Sequence, residues 1–160
     1  MKSLHIKSHV IVLSIIGILV LQSCSNDTRV TQAREKLEQQ VQDESKGLAK
    51  LKSLEKVNGQ EQNLMGSKMY ELDFKATVEY KEDCYKSDEE GWSELLHNYF
   101  TVVKNPQQAQ RGFYNLYSRG NYLHYAKGSR DEITGVAIYE MKENGWFLNG
   151  VNLKSSKHID

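Results

Sequence analysis

Residues 70–81 are Tyr-Glu-Leu-Asp-Phe-Lys-Ala-Thr-Val-Glu-Tyr-Lys, and this stretch decides the fold. Six apolar residues alternate with six polar ones without interruption. Successive side chains of a β-strand point to opposite faces of its sheet, so strict alternation predicts a strand with one buried and one wet face. The chain therefore contains a sheet that another part of the protein must cover on one side.

A β-hairpin is predicted near the end of the chain. Thr134–Lys142 and Trp146–Leu153 flank Asn144-Gly145, the dipeptide most typical of a two-residue turn. With these two residues as the loop, both faces of the hairpin are apolar. One face carries Val136, Ile138, Phe147, Val151 and Leu153, and the other carries Ala137, Tyr139, Met141, Trp146 and Leu148. We expect such a hairpin to lie in the middle of the sheet and to be covered on both sides.

Shorter strands are expected between these two elements, at Leu95–Lys104, Phe113–Ser118 and Asn121–Lys127. Residues 27–58 differ, because all aromatic residues lie between Tyr70 and Phe147. Apolar residues recur in this segment at intervals of three, four and seven: Val30, Ala33, Leu37, Val41, Leu48, Leu51, Leu54 and Val57.

This interval predicts a helix from a cap at Asp27 or Thr28 to a stop at Asn58-Gly59. Gly47 makes either one bent helix or two helices in tandem possible. The segment either packs on the sheet or forms a free stalk. These patterns together predict an α+β head, with a helix (or two) on a curved antiparallel sheet of four to six strands.

The first 23 residues have the pattern of a secretory signal. Lys2 and Lys7 precede a run of twelve residues from Val10 to Leu21 that only Ser14 and Gly17 interrupt. Crossing the hydrocarbon core of a bilayer as a helix takes about 20 apolar residues, so the run is too short to span it. We therefore expect residues 1–23 to be removed.

The residues that follow, Leu21-Gln22-Ser23-Cys24, resemble the lipobox of bacterial lipoproteins. The resemblance implies that the Cys24 thiol is acylated and that the chain is cut before Cys24. The protein would then be bound to the membrane through fatty acyl chains such as palmitate on Cys24. Two or more acyl chains hold a protein stably, whereas one holds it marginally. An ordinary secreted protein is the alternative. Because Ser25 and not Asp follows Cys24, we expect the outer membrane, with the head facing the periplasm.

The order of helix, antiparallel strands and a final hairpin with Asn-Gly-Trp-Phe at 144–147 resembles the cystatin-like/NTF2-like lipoproteins of bacteria. The resemblance covers residues 46–153 and implies a sheet that wraps a helix, often with a pocket. The signal pattern, the lipobox and the boundary in composition together predict four segments: a signal peptide at 1–23, a lipidated start and helical segment at 24–58, a head at 59–154 and a flexible tail at 155–160. Members of this group include isomerases, dehydratases and binding proteins, so the fold alone assigns no function.

Composition excludes several functional classes. The chain has 21 basic and 21 acidic residues, so nothing in its charge attracts nucleic acid. Cys84 is left alone once Cys24 is acylated, and a lone cysteine with acidic neighbours is expected to be a buried apolar residue. No spacing of His, Cys, Asp or Glu matches a metal site, and no cofactor is expected.

Asp73, His97 and His124 are the candidates for a general base, since enzymes of the NTF2-like fold often place Asp or His in the pocket. Alternation puts Asp73 on the wet face of its strand, and surface positions are expected for both histidines. We therefore expect no catalytic residue. The predicted function is a non-catalytic envelope lipoprotein that binds a protein or small ligand, or a second copy of itself, through the apolar face with Tyr139, Met141, Trp146 and Leu148. The alternatives are a small pocket enzyme of isomerase or dehydratase type, and an inhibitor or immunity lipoprotein.

Overall fold

The computed structural model describes residues 27–87, 99–105 and 122–159. One helix, α1 (Thr28–Glu44), precedes seven strands. The strands are β1 (Ala49–Leu64), β2 (Ser67–Tyr80), β3 (Cys84–Ser87), β4 (Val102–Val103), β5 (Tyr122–Tyr125), β6 (Arg130–Lys142) and β7 (Gly145–Ile159). In the described ranges, no helix is both long and apolar enough to cross a membrane. The signal segment, Cys24, His97, Phe113–Ser118 and the start of the strand expected from Leu95 lie outside the described residues.

Four strands form an antiparallel sheet in the order β1-β2-β6-β7, and α1 packs on one of its faces. The α+β prediction is therefore confirmed. The alternation at residues 70–81 forms most of β2, whose side chains from Tyr70 to Val78 are buried at every second position. The helix covers this face with Ala33, Leu37 and Val41, all fully buried. A smaller sheet, β4-β3-β5, contains the strands expected near Val102 and Tyr122.

The helix predicted to extend to Val57 is wrong beyond Glu44. Asp27 caps its start, with its carboxylate accepting from the Arg29 amide at 3.1 Å. The chain then leaves the helix because Lys46 takes φ +52° and Gly47 takes φ +79°. The Gly47 amide donates to Gln42 O and the Lys46 amide donates to Asp43 O, which is the Schellman arrangement of a helix C-terminus. The helix packs on the sheet, so the described part of this segment is not a free stalk.

The segment after Gly47 is β1 and not a second helix. An apolar interval of three between Leu51 and Leu54 is typical of a helix, but here a β-bulge at Lys52 produces it. The extra residue returns Leu54 to the same face of the sheet as Leu51, and both side chains are buried. A second bulge lies at Val57, and the side chain of Val57 is exposed.

The final hairpin is confirmed as β6 and β7, but its predicted register is wrong. Lys142 pairs with Gly145, so the loop is Glu143-Asn144, one residue earlier than expected. Bulges in β7 at Asn149 and Lys154 then shift the pairing. The first of these bulges turns Val151 and Leu153 to the helix-covered face, where both pack on the core.

Two further expectations about this hairpin need correction. It does not lie in the middle of the four-stranded sheet, because β7 is at one edge. Its outer face is not a second apolar core either, since Val136 and Ile138 are only half-buried and Phe147 is exposed. Val136 is paired there with Asp73, which forms an ion pair with Lys154 (2.8 Å). The predicted flexible tail is also wrong: residues 155–159 continue β7 and pair with 130–134.

Candidate functional site

Two grooves lie between α1 and the start of β7. The first has a volume of about 440 Å³ and is lined by Asp27, Thr28, Arg29, Gln32, Asn144 and Trp146. The second has a volume of about 330 Å³ and is lined by Gln32, Glu35, Lys36, Gln39, Phe147 and Leu148. Because Gln32 lines both, the two grooves form one depression, which we name the α1–β7 furrow. One wall is the polar side of the helix and the other is the apolar start of an edge strand.

Gln32 carries an unsatisfied group in this furrow. Its side-chain Oε1 is buried, and no described residue donates a hydrogen bond to it. A buried acceptor without a donor costs about 1–3 kcal/mol. The Gln32 side chain lines both grooves, so a rotation of its amide would bring Oε1 within reach of an N–H or O–H group of a molecule bound in the furrow.

The wall beside the helix N-terminus is held by aromatic contacts. The Arg29 guanidinium lies 3.8 Å from the Tyr70 ring centroid and pairs with Asp27 at 2.9 Å. Tyr70 in turn packs against Trp146, with ring centroids 5.8 Å apart, and against Tyr139 at 6.2 Å. These contacts hold the start of α1 against the sheet and so shape the furrow.

The four residues predicted as a binding face are separated by this packing. Tyr139 is fully buried under α1, and its hydroxyl donates to the Arg29 carbonyl. Trp146 and Leu148 are partly buried and line the furrow, while Met141 is 37% exposed. All four belong to one hairpin, but only Trp146 and Leu148 line the furrow.

A second cluster surrounds the carboxylate of Asp131, at the opposite end of β6. Oδ2 accepts from Tyr80 OH at 2.7 Å, from Lys86 Nζ at 2.6 Å and from Ser156 Oγ at 3.4 Å. Oδ1 lies 3.1 Å from His158 Nδ1. These five residues, which we name the Asp131 cluster, join the four-stranded sheet to β3 of the small sheet.

The electrostatics of the Asp131 cluster favour a charged carboxylate. Burial acts to raise the pKa of the Asp131 carboxyl, but the charge and hydrogen bond of Lys86 and the hydrogen bond of Tyr80 outweigh it, so this pKa lies below its ordinary value. Burial, followed by the nearby Asp131 charge, raises the pKa of the Tyr80 hydroxyl, which therefore remains a donor. The carboxylate could take up a proton or pair with a cation, but both of its oxygens already contact side chains of the protein.

Asp73 and His124, the two general-base candidates among the described residues, do not join this cluster. Asp73 lies on the outer face of the sheet and pairs with Lys154, and His124 is exposed with its ring 5.2 Å from that of Tyr85. Cys84 is buried, as predicted, and burial raises the pKa of its thiol to about 11. The structure thus gives Cys84 the properties of an apolar core residue.

Sequence reasoning missed the Asp131 cluster and Gln32. One signal for Asp131 was available. It is an even number of residues from Ile133, Ala137 and Tyr139 along β6 and therefore lies on the same, buried face of the strand. A carboxylate on the buried side of a strand requires a partner. No signal of this kind identified Lys86 or Gln32. Comparison of the chain with protein-family models, with curated proteins and with solved structures gives no match.

Proposed function

We propose that the protein is a non-catalytic lipoprotein of the bacterial cell envelope that binds a partner in the α1–β7 furrow. Acylated Cys24 is the anchor, and the outer membrane with the head in the periplasm is the proposed location. The partner is a protein segment or small ligand with hydrogen-bond donors. The observation that carries the binding proposal is the buried, donorless Oε1 of Gln32 where the two grooves meet.

Two features support a protein segment as the occupant. In the described part of the chain, β7 has a hydrogen-bonded neighbour on one side only, so backbone groups of its other edge face the outside of the sheet. An extended peptide can add to such an edge and place side chains in adjacent pockets. Phe147 and Leu148 offer apolar contacts beside this edge, and the helix wall offers Glu35 and Lys36.

The arrangement of one helix on an antiparallel sheet is consistent with the cystatin-like/NTF2-like resemblance, and we propose that identity for the head. The anchor proposal rests on the lipobox and on the short distance in sequence between Cys24 and the folded head. Asp27, the N-cap of α1, follows Cys24 by three residues and is ion-paired to Lys56 of the sheet at 3.3 Å. A lipid at Cys24 would therefore hold the head directly at the membrane.

The anchor is tested by Cys24→Ala. We expect this variant to lose incorporation of labelled palmitate and to move from the membrane to the soluble fraction, because the thioether cannot form without the thiol. Ser25→Ala is the matched control and should stay with the membrane. An alanine variant that still requires detergent for extraction would contradict the anchor.

The furrow is tested by photo-crosslinking in cells. A photoreactive amino acid at Lys36, in the furrow, should give a crosslinked adduct of defined mass, since a bound partner would contact this wall. The same amino acid at Lys75, an exposed lysine on the outer face of the sheet, is the control and should give none. Adducts at Lys75 alone, or at neither position, would refute the furrow as the binding site.

An enzyme is the second candidate, and the Asp131 cluster is the observation that favours it. A buried carboxylate beside a histidine and a lysine is a set that can perform acid–base chemistry. Binding is the better supported function, because Asp131 is fully buried and both of its oxygens contact side chains of the protein itself.

A further inference from the structure

Two hairpin turns lie side by side at one end of the four-stranded sheet. Met65-Gly66 joins β1 to β2, and Glu143-Asn144 joins β6 to β7. Their alignment follows from the register, since Met69 of β2 pairs with Glu140 of β6, which pairs with Phe147 of β7. Measured along the strands, the two turns are therefore within a few residues of each other. We call the end of the sheet that they form the turn end of the head.

The turn end carries an apolar tip. Met65 is 100% exposed and Leu64 is 58% exposed, and no charged residue occurs from Gln62 to Ser67. Met65 takes φ +50° and Gly66 takes φ +86°, the pair of positive angles of a type I′ turn. Asn, Asp or Gly is the usual first residue of that turn. Methionine at this position is unfavourable both in backbone conformation and in exposure, so its side chain does not stabilise the turn.

Aromatic rings and lysines occur in the strand residues next to the two turns. Lys142 Nζ lies 4.5 Å from the Phe147 ring centroid, and Lys68 Nζ lies 5.7 Å from the Trp146 ring. Phe147 is 55% exposed. Both lysines are ion-paired with glutamates, Lys68 with Glu61 at 2.8 Å and Lys142 with Glu140 at 3.7 Å, so charge does not draw this end to a membrane. Tryptophan is enriched at the membrane–water boundary. An apolar tip followed by aromatic residues suits the boundary of a bilayer.

The start of α1 is at this same end. Asp27 and Thr28 line one groove together with Asn144 of the second turn. Cys24 lies three positions before Asp27 in the sequence, and an extended chain covers at most about 11 Å over three positions. A lipid on Cys24 would therefore bring the turn end, and not the Asp131 end, to the membrane.

We propose that the turn end is a second membrane contact, with Leu64 and Met65 entering the interfacial region of a phospholipid bilayer; this rests on the proposed function. The strands then stand away from the membrane. Asp131 lies eleven positions before Lys142 in β6, and at about 3.3 Å per position the Asp131 cluster lies roughly 36 Å from the bilayer surface. The α1–β7 furrow begins at the membrane and extends away from it.

The test uses the acylated full chain in vesicles of phosphatidylethanolamine and phosphatidylglycerol. An environment-sensitive dye is placed on Met65→Cys and, separately, on Leu123→Cys, an exposed apolar position of β5 in the small sheet. Cys84 is buried and its thiol pKa is raised, so it does not compete for the dye. We expect a blue shift and quenching by spin-labelled lipids at position 65 and neither at position 123.

Labelled palmitate in the same preparation separates the two possible failures. Acylated protein whose dye at position 65 stays in water would overturn the membrane contact and leave the anchor standing. Protein without acyl chains would overturn the anchor and the contact with it.

A second variant removes the tip without disturbing the turn. Met65→Asn places the preferred residue in the type I′ position, so the fold is retained. In the unacylated Cys24→Ala chain, this change should weaken binding to the same vesicles by about tenfold, equivalent to about 1.4 kcal/mol. Leu123→Asn is the matched control and should leave binding unchanged. Equal binding of both variants and of the parent chain would overturn the proposal.

Discussion

Asp131→Ala is expected to lower the free energy of unfolding by about 3–5 kcal/mol, because it removes one partner of a buried ion pair. The carboxylate has no exposed surface, and the Lys86 side chain is 14% exposed. Without Asp131, the Lys86 ammonium and the Tyr80 hydroxyl lose their shared acceptor in a place that water reaches poorly. Urea unfolding in the Cys24→Ala background, followed by circular dichroism, measures the change.

Asp73→Ala is the matched control. Asp73 is also paired to a lysine across two strands, with Lys154 Nζ 2.8 Å away, but this pair lies on the solvent side of the sheet. Exposed ion pairs contribute about 0–1 kcal/mol, so the control should lose little. The double variant Lys86→Met with Asp131→Leu should be more stable than Asp131→Ala, since no charge remains unpaired. Losses of equal size at Asp73 and Asp131 would contradict the role of burial.

Acid provides a second measurement of the same interaction. The pKa of Asp131 is lower in the folded chain than its ordinary value of 3.8. A group of this kind binds its proton more readily when the chain is unfolded. Its contribution to the free energy of unfolding is therefore complete above a pH of about 4 and declines as the pH falls through the pKa of the folded state. The parent chain should therefore lose more stability in this acid range than the Asp131→Ala variant loses.

Much of the fold follows from local patterns, and the errors have identifiable causes. The strand at residues 70–81 was predictable because β2 contains no bulge, so its period of two is unbroken. β1 and β7 each contain two bulges, and each bulge exchanges the two faces of the strand. That exchange made β1 resemble a helix and moved Val151 and Leu153 to the covered side. A bulge depends on pairing across the sheet, which the sequence of one strand does not contain.

The sites were less predictable because they are formed by residues distant in the sequence. Asp131 has the parity of a buried residue, but Lys86 and His158 reach it from β3 and from the end of β7. The second of these was hidden by the prediction of a flexible tail. In the furrow, Trp146 and Leu148 were predicted as binding residues, whereas Gln32 required knowledge of which side of α1 faces β7.

Tyr139→Ala is expected to destabilise the head by about 3–5 kcal/mol, comparable to other buried aromatic-to-alanine changes. The Tyr139 ring is fully buried between the sheet and α1, and its hydroxyl donates to the Arg29 carbonyl in the first turn of the helix. Burial raises the pKa of this hydroxyl to about 12, so it remains a donor at neutral pH. The variant loses the ring, this hydrogen bond and the edge contact with Tyr70.

Phe147→Ala is the control, because Phe147 is an aromatic residue of the same hairpin on the opposite face and is 55% exposed. Its loss should change the free energy of unfolding by about 0.5 kcal/mol, as for other surface substitutions. Urea unfolding measures both variants, and hydrogen exchange should show faster exchange of the α1 amides in Tyr139→Ala alone. Similar losses in both variants would mean that the outer face of the hairpin is also covered. Since α1 connects the proposed anchor to the sheet, its release would leave the head on a flexible tether and open one wall of the furrow.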